Sequence, residues 1–165
     1  MNHFPFQFVD LTHTLSSTSP SWEGECGFTL DTIVDYETCH TEVKFRVQQM
    51  HLQCGMGTHM DAPAHCVPHE KTIDTLTLDT LIVPCVVIDI SAKTTEVAFQ
   101  LSVKDIQAFE TLYGAIAEKS FVLIYTGWDR FWNNKDQYRA EGNFPSVSHE
   151  AARYLLTKNI IGLGI

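Results

Sequence analysis

A chain of 165 residues is long enough for one domain with a sizeable buried core, and 44% apolar with 19% charged residues is the balance of a folded globular protein. Its 20 acidic residues against 11 basic ones give a net charge of −9 with no basic run, which argues against nucleic acid or an anionic membrane as partner. The longest apolar run, LIVPCVVIDI, is broken by Pro84 and is far too short to cross a bilayer, and MNHFPFQFVDLTHTL has neither a positive start nor a long apolar stretch, so no signal peptide is expected.

In chain order, Phe6–Leu11 alternates apolar and polar residues and predicts a first strand. SSTSPSWEGECG is loop material, after which FTLDTIVDY and VKFRVQQMHLQC both alternate and predict two more strands. The segment GMGTHMDAPAHC follows as an irregular loop, and TIDTLTLDTLI predicts a short helix or turn. CVVIDI reads as a strand buried on both faces. SVKDIQAFETLYGAI predicts a helix with Ser102 as N-cap, Asp105 three residues on, and apolar residues at Val103, Ile106, Phe109 and Leu112. SFVLIYTG predicts another buried strand, WDRFWNNKDQYRAEGNFPSVS a long loop, SHEAARYLLTKN a helix capped by Ser148, and IIGLGI a last strand. The expected architecture is a single mixed α/β domain over 1–165, with alternating strands first and a parallel βαβαβ layer at the C-terminal end. Because the chain stops at an apolar strand with nothing to close it, a C-terminal portion is expected to be missing.

Five cysteines, an odd number without a CxxC pair, fit reduced thiols in the cytosol. His40, His51, His59, His65 and His69 crowd into one segment around the loop. Imidazole nitrogen and carboxylate oxygen are the donors a first-row cation takes, so His59 and Asp61, two residues apart, form a candidate ligand pair. Gly57 allows a positive φ or a close backbone approach, and Pro63 fixes its own φ while biasing Ala62 toward extended geometry. His65 follows four residues after Asp61. These residues alone leave two readings open: a stiff metal-binding platform, or a polar turn at a strand end. Cys66 and His69, and likewise His51 and Cys54, read more simply as core or surface residues than as ligands.

The motif G-M-G-T-H-M-D-A-P-A-H, Gly55 to His65, resembles the H-x-G-T-H-x-D-x-P-x-H hallmark of the cyclase-like metal hydrolases, the family that includes bacterial kynurenine formamidase (arylformamidase) and isatin hydrolase. VDLTHTLSSTSPSWEG, IYTGWDRFW and FPSVSHEAARYLLTKNIIGLGI are similar to the family's other landmarks, in the same order. The resemblance implies a swivelling β/β/α-type cyclase fold and hydrolysis of an aryl or cyclic amide such as N-formylkynurenine, in tryptophan catabolism. It implies a divalent metal, zinc or manganese, with His59 and Asp61 as ligands and His65 as the catalytic acid/base. Trp22, and with it Trp128 or Phe131, would supply an aromatic wall for the substrate. It further implies a small-molecule amide as partner, a homodimer or higher homo-oligomer, and a cytoplasmic location.

The sequence departs from the family at Gly55, where the first metal histidine stands, and after GLGI, where a further His and Glu ligand follow. His51 is a poor substitute, since four residues of strand put it about 13 Å from Gly55. The chain is therefore expected to hold metal weakly or not at all. The alternative is a family member that has lost catalysis and serves as a binding or scaffold protein.

Overall fold

A computed structural model of the chain describes residues 7–22, 27–94 and 98–165. The chain divides into two compact units, Met1–Met60 and Asp61–Ile165.

In the first unit, β1 (Phe28–Val34) and β2 (Val47–Leu52) pair antiparallel, with Phe28 opposite Leu52 and Leu30 opposite Met50. The alternation of β-branched, aromatic and polar residues that predicts these strands is borne out. The turn between them is held by Arg46, whose Nε and Nη2 donate to the Asp35 carboxylate at 2.9 and 3.1 Å while its guanidinium lies over the Tyr36 ring. The strand expected at Phe6–Leu11 is not there: Phe6 lies outside the described residues, and residues 7–11 form no strand. Asp10 accounts for it. Its carboxylate accepts hydrogen bonds from Thr12 N at 2.9 Å and Thr12 Oγ1 at 2.6 Å, a local side-chain turn that competes with extended pairing.

The second unit opens with a 3₁₀ turn at Pro63–His65, another at Ile73–Thr75 and the single-turn helix α1 (Leu78–Leu81). Next come β3 (Cys85–Asp89), the two-residue β4 (Gln100–Leu101), helix α2 (Val103–Tyr113) and β5 (Phe121–Tyr125). The segment read as one long loop contains a short helix, α3 (Lys135–Arg139), and β6 (Ser146–Val147), which pairs parallel with β4. Helix α4 (His149–Thr157) and β7 (Gly162–Gly164) complete the chain. Strands β3, β5 and β7 form one parallel sheet in that order, the expected βαβαβ layer.

Helix α2 starts where the sequence places it. Ser102 Oγ accepts Asp105 N at 3.3 Å and Asp105 Oδ2 accepts Ser102 N at 2.9 Å, a reciprocal capping box. Asp105 also pairs with Lys93. Ser148 caps α4 by accepting Ala151 N at 3.1 Å. Val86, Ile88, Val122 and Ile124 share one sheet face and pack with Leu101, Ile106, Ala151 and Leu155 in a single hydrophobic core.

The other face differs from the expectation of strands buried on both sides. Val87 is 49% exposed and Tyr125 45%. Both helices lie on the face of the even-numbered residues, so the odd-numbered ones are left toward solvent. On that second face Gly162 and Gly164 lie beside the Phe121 ring, and a Cβ at either would come within 2.9 Å of a ring carbon.

Glu110 ties α2 to α4. Its Oε2 accepts Tyr154 OH at 2.6 Å and Lys158 Nζ at 3.1 Å, and its Oε1 accepts Ile116 N at 3.1 Å. The Lys158 contact, then the Tyr154 hydroxyl, hold the Glu110 carboxyl below its ordinary range, while Glu110 raises the Lys158 ammonium above its own. A lowered carboxylate stabilises the fold above its unfolded pKa of about 4.3, and that contribution disappears as pH falls through the lowered value. The raised ammonium contributes below its unfolded pKa of about 10.4 and loses that contribution as pH rises through the raised value. Glu110→Gln should therefore melt at lower temperature than the parent near neutral pH, with the gap closing in acid. Thermal melts across an acidic series check this; a gap that persists at the lowest pH would contradict it.

Candidate active-site loop

The segment Gly55–His65 crosses from the first unit into the second between Met60 and Asp61. On the first side Gly57 has φ +69°, the left-handed region that favours glycine, and a Cβ there would sit 2.5 Å from Leu15 Cδ2. Both properties foreseen for this glycine, positive φ and close approach, are present. The next residue is anchored too: Thr58 Oγ1 accepts the backbone N–H of His13 at 3.1 Å.

The Gly57 carbonyl lies 2.9 Å from His59 Nδ1. A carbonyl only accepts, so Nδ1 carries the proton and the neutral ring has its basic nitrogen at Nε2. This is the arrangement by which an outer hydrogen bond fixes the tautomer and direction of a ligating histidine. Position 55 faces that nitrogen: a Cβ built on Gly55 would lie 3.5 Å from His59 Nε2.

On the second side Ala62 is extended, at φ −80° and ψ 159°, as a residue before proline should be. Pro63 then starts the 3₁₀ turn that carries His65. His65 Nδ1 lies 3.9 Å from Asp61 Oδ1, and both side chains are more than half exposed, at 65% and 52%. The turn is closed behind them by Ala64 N donating to Lys71 O at 3.0 Å. The loop thus brings the Asp61 carboxylate and the His65 ring to ion-pair range, beyond hydrogen-bond distance.

Trp22 is 75% exposed in the first unit. Trp128 and Phe131 belong to a packed cluster in the second: Trp128 Nε1 donates to Tyr138 O at 2.8 Å, and Arg130 lies over Phe131 while donating to Thr94 O at 2.9 Å. Those hydrogen bonds and ring contacts give both aromatics structural work. His51 Nε2 lies 3.1 Å from Gln49 Nε2 within β2, and Cys54 is exposed. Leu15 and the Gly57 carbonyl are the working parts that sequence reasoning missed. Leu15 is remote in the chain and carries no local signal, whereas the Gly57 carbonyl stands two residues before His59 in the G-T-H letters.

Among the described residues no group of three or more His, Cys, Asp or Glu side chains is placed to hold a metal ion. Zinc takes at least three protein ligands, so His59 and Asp61 alone are not a complete donor set. No described helix is long and apolar enough to cross a membrane.

The Cyclase family model, described as "Putative cyclase", matches residues 9–165. The chain belongs to the cyclase family. An isatin hydrolase from Roseibium aggregatum is 32% identical over 117 residues, covering 66% of this chain and 44% of that protein. Among solved cyclase-fold structures, isatin hydrolase A from Ralstonia solanacearum superposes with a TM-score of 0.82 at 28% identity, over 94% of this chain and 64% of that one. A "potential metal-dependent hydrolase with cyclase activity" superposes at 0.69 with 25% identity, over 95% of this chain and 66% of that one. This cyclase chain therefore spans less than half of the curated relative and about two thirds of the solved ones. Its mixed α/β architecture is the cyclase fold of those isatin hydrolases.

Proposed function

We propose that this cyclase-family chain carries the catalytic loop of a metal-dependent hydrolase acting on an aryl or cyclic amide, with isatin and N-formylkynurenine as the two substrates to test first. His59 and Asp61 are the metal ligands in this reading, zinc or manganese is the cation class, and His65 is the acid/base. The carrying observation is the His59 Nδ1 contact to the Gly57 carbonyl, which puts the neutral ring's basic nitrogen at Nε2 on a loop fixed at both Gly57 and Thr58. Amide hydrolysis needs one proton taken from water and one given to the leaving nitrogen. His65, within reach of the Asp61 carboxylate and open to solvent, has the chemistry for both transfers. The similarity to isatin hydrolases supports the amide class. Trp22, exposed and aromatic, is the candidate for the substrate wall. The four described cysteines, all free, support a cytoplasmic location, and the apolar side chains exposed on β1 and β2 support a homo-oligomer.

The test is hydrolysis of isatin and of N-formylkynurenine, with metal analysis, by the purified protein. His59→Ala should remove stoichiometric metal and lower kcat/KM by at least about 100-fold, the scale set by losing several kcal/mol of metal assistance. A second reading, a binding protein without catalysis, is favoured by Gly55 and by the donor count of two. It prevails if the purified protein holds no metal and turns over neither substrate.

A further inference from the structure

We infer that the free edge of β3 is a dimer interface, on which a second copy of this chain lays its own β3 antiparallel about a two-fold axis at Val87. Every residue of this interface lies in the second unit, so the metal-hydrolase reading can fail without touching it.

β3 stands at the end of the sheet whose order is β3, β5, β7. Pro84 O accepts the Phe121 N–H at 2.8 Å and Tyr125 O accepts the Ile90 N–H at 2.9 Å, so the even-numbered residues turn their backbone groups toward β5. Backbone groups alternate sides along a strand, which leaves the N–H and C=O of Cys85, Val87 and Asp89 pointing away from the sheet. No described residue bonds them. Donor and acceptor pairs at two-residue spacing match an extended chain. Natural edges of this kind are blunted by a bulge, a proline or a lysine, and Cys85–Asp89 pairs without a register shift and contains neither residue. The register about Val87 is self-complementary. It sets Val87 opposite Val87 and Cys85 opposite Asp89, so each outward N–H meets a C=O and the carboxylate faces a neutral thiol instead of its own copy. The same axis turns α2 antiparallel to its copy. Leu112 and Tyr113, each 75% exposed, then stand over the seam, beside a cleft of about 400 Å³ that they line together with Val87, Lys93, Ala108 and Phe109. Any extended peptide would satisfy the edge, but a second copy also covers these two helix side chains, and that selects it.

Sedimentation equilibrium of the purified protein should give a dimer. Val87→Lys, which sets like charges directly opposite each other at a half-exposed position, should raise the dimer Kd at least about tenfold with an unchanged circular dichroism spectrum. Hydrogen-bonded antiparallel pairs have Cα atoms about 5.5 Å apart, within disulfide range. Val87→Cys in a Cys85→Ser background should therefore form an intermolecular disulfide between the two substituted positions under mild oxidation, identified by peptide mass, while Cys85→Ser alone should not link those peptides. Should Val87→Lys fail to fold, the disulfide decides: its formation supports the β3 seam and its absence overturns it. A dimer that survives in folded Val87→Lys but dissociates with Met50→Lys on β2 overturns the inference and moves the interface to the first unit. A parent that stays monomeric at every concentration also overturns it, and leaves the β3 edge to another chain.

Discussion

Gly57→Ala should destabilise the protein by about 2–5 kcal/mol and remove the fixed orientation of His59. Two terms add. An L-residue in the left-handed region costs about 1–2 kcal/mol, and forcing a methyl to 2.5 Å from Leu15 Cδ2 adds an overpacking cost of about 1–3 kcal/mol. Against a typical folding stability of about 5–15 kcal/mol that is a large fraction. The terms are separable, because Leu15→Ala removes the steric part and leaves the dihedral part. In the Gly57→Ala background, Leu15→Ala should be less harmful than in the parent, a coupling that urea denaturation of the four proteins measures. A Gly57→Ala midpoint close to that of the parent would mean that the loop relaxes around the methyl, and that Gly57 is not what holds the His59 ring.

Ile106→Ala should cost about 2–5 kcal/mol, whereas Val87→Ala should cost less than about 1 kcal/mol. Ile106 is fully buried between α2 and the sheet, and truncating it removes three carbons from a packed core that closes only in part. Val87 loses two carbons, each worth about 0.8 kcal/mol when fully buried, from a side chain that is already 49% exposed. Both substitutions lie in elements the sequence marks as apolar, so the contrast tests which sheet face is covered. Comparable losses, read as midpoint shifts in denaturant at constant slope, would place Val87 in a packed interior.

The second unit was the more legible part, for a physical reason. Its helices announce themselves through local rules, Ser102 with Asp105 and Ser148 with Glu150, and its strands through apolar runs bounded by turns. What periodicity does not contain is the number of layers laid against a strand. Cys85–Asp89 has the same composition whether one face is covered or two, and the structure covers one. At the N-terminal end, alternation over residues 6–11 was outweighed by one Asp side chain that bonds its own backbone two residues on. In the loop, Ala62, Pro63 and Gly57 followed from backbone stereochemistry alone. The His59 tautomer and the Leu15 contact did not, because both depend on three-dimensional neighbours. The spacing of His59 and Asp61 named a ligand pair but could not say how many other donors converge there.

Strand β7 brings backbone hydrogen bonds to the sheet and almost no side-chain volume. Its outward positions are both glycine, and the Phe121 ring of the neighbouring strand fills the space they vacate. A strand's register is read from its side chains, and here Leu163, opposite Val122, is the one that can be read. A two-residue shift that brought Ile160 opposite Phe121 would put a side chain where the ring leaves no room for a Cβ, so the glycine spacing also marks the register. The pairing of this strand thus rests on the two glycines against the Phe121 ring, on Ile160 packed against the core just before it, and on the Ile161 N–H donating to Ser120 O at 2.9 Å.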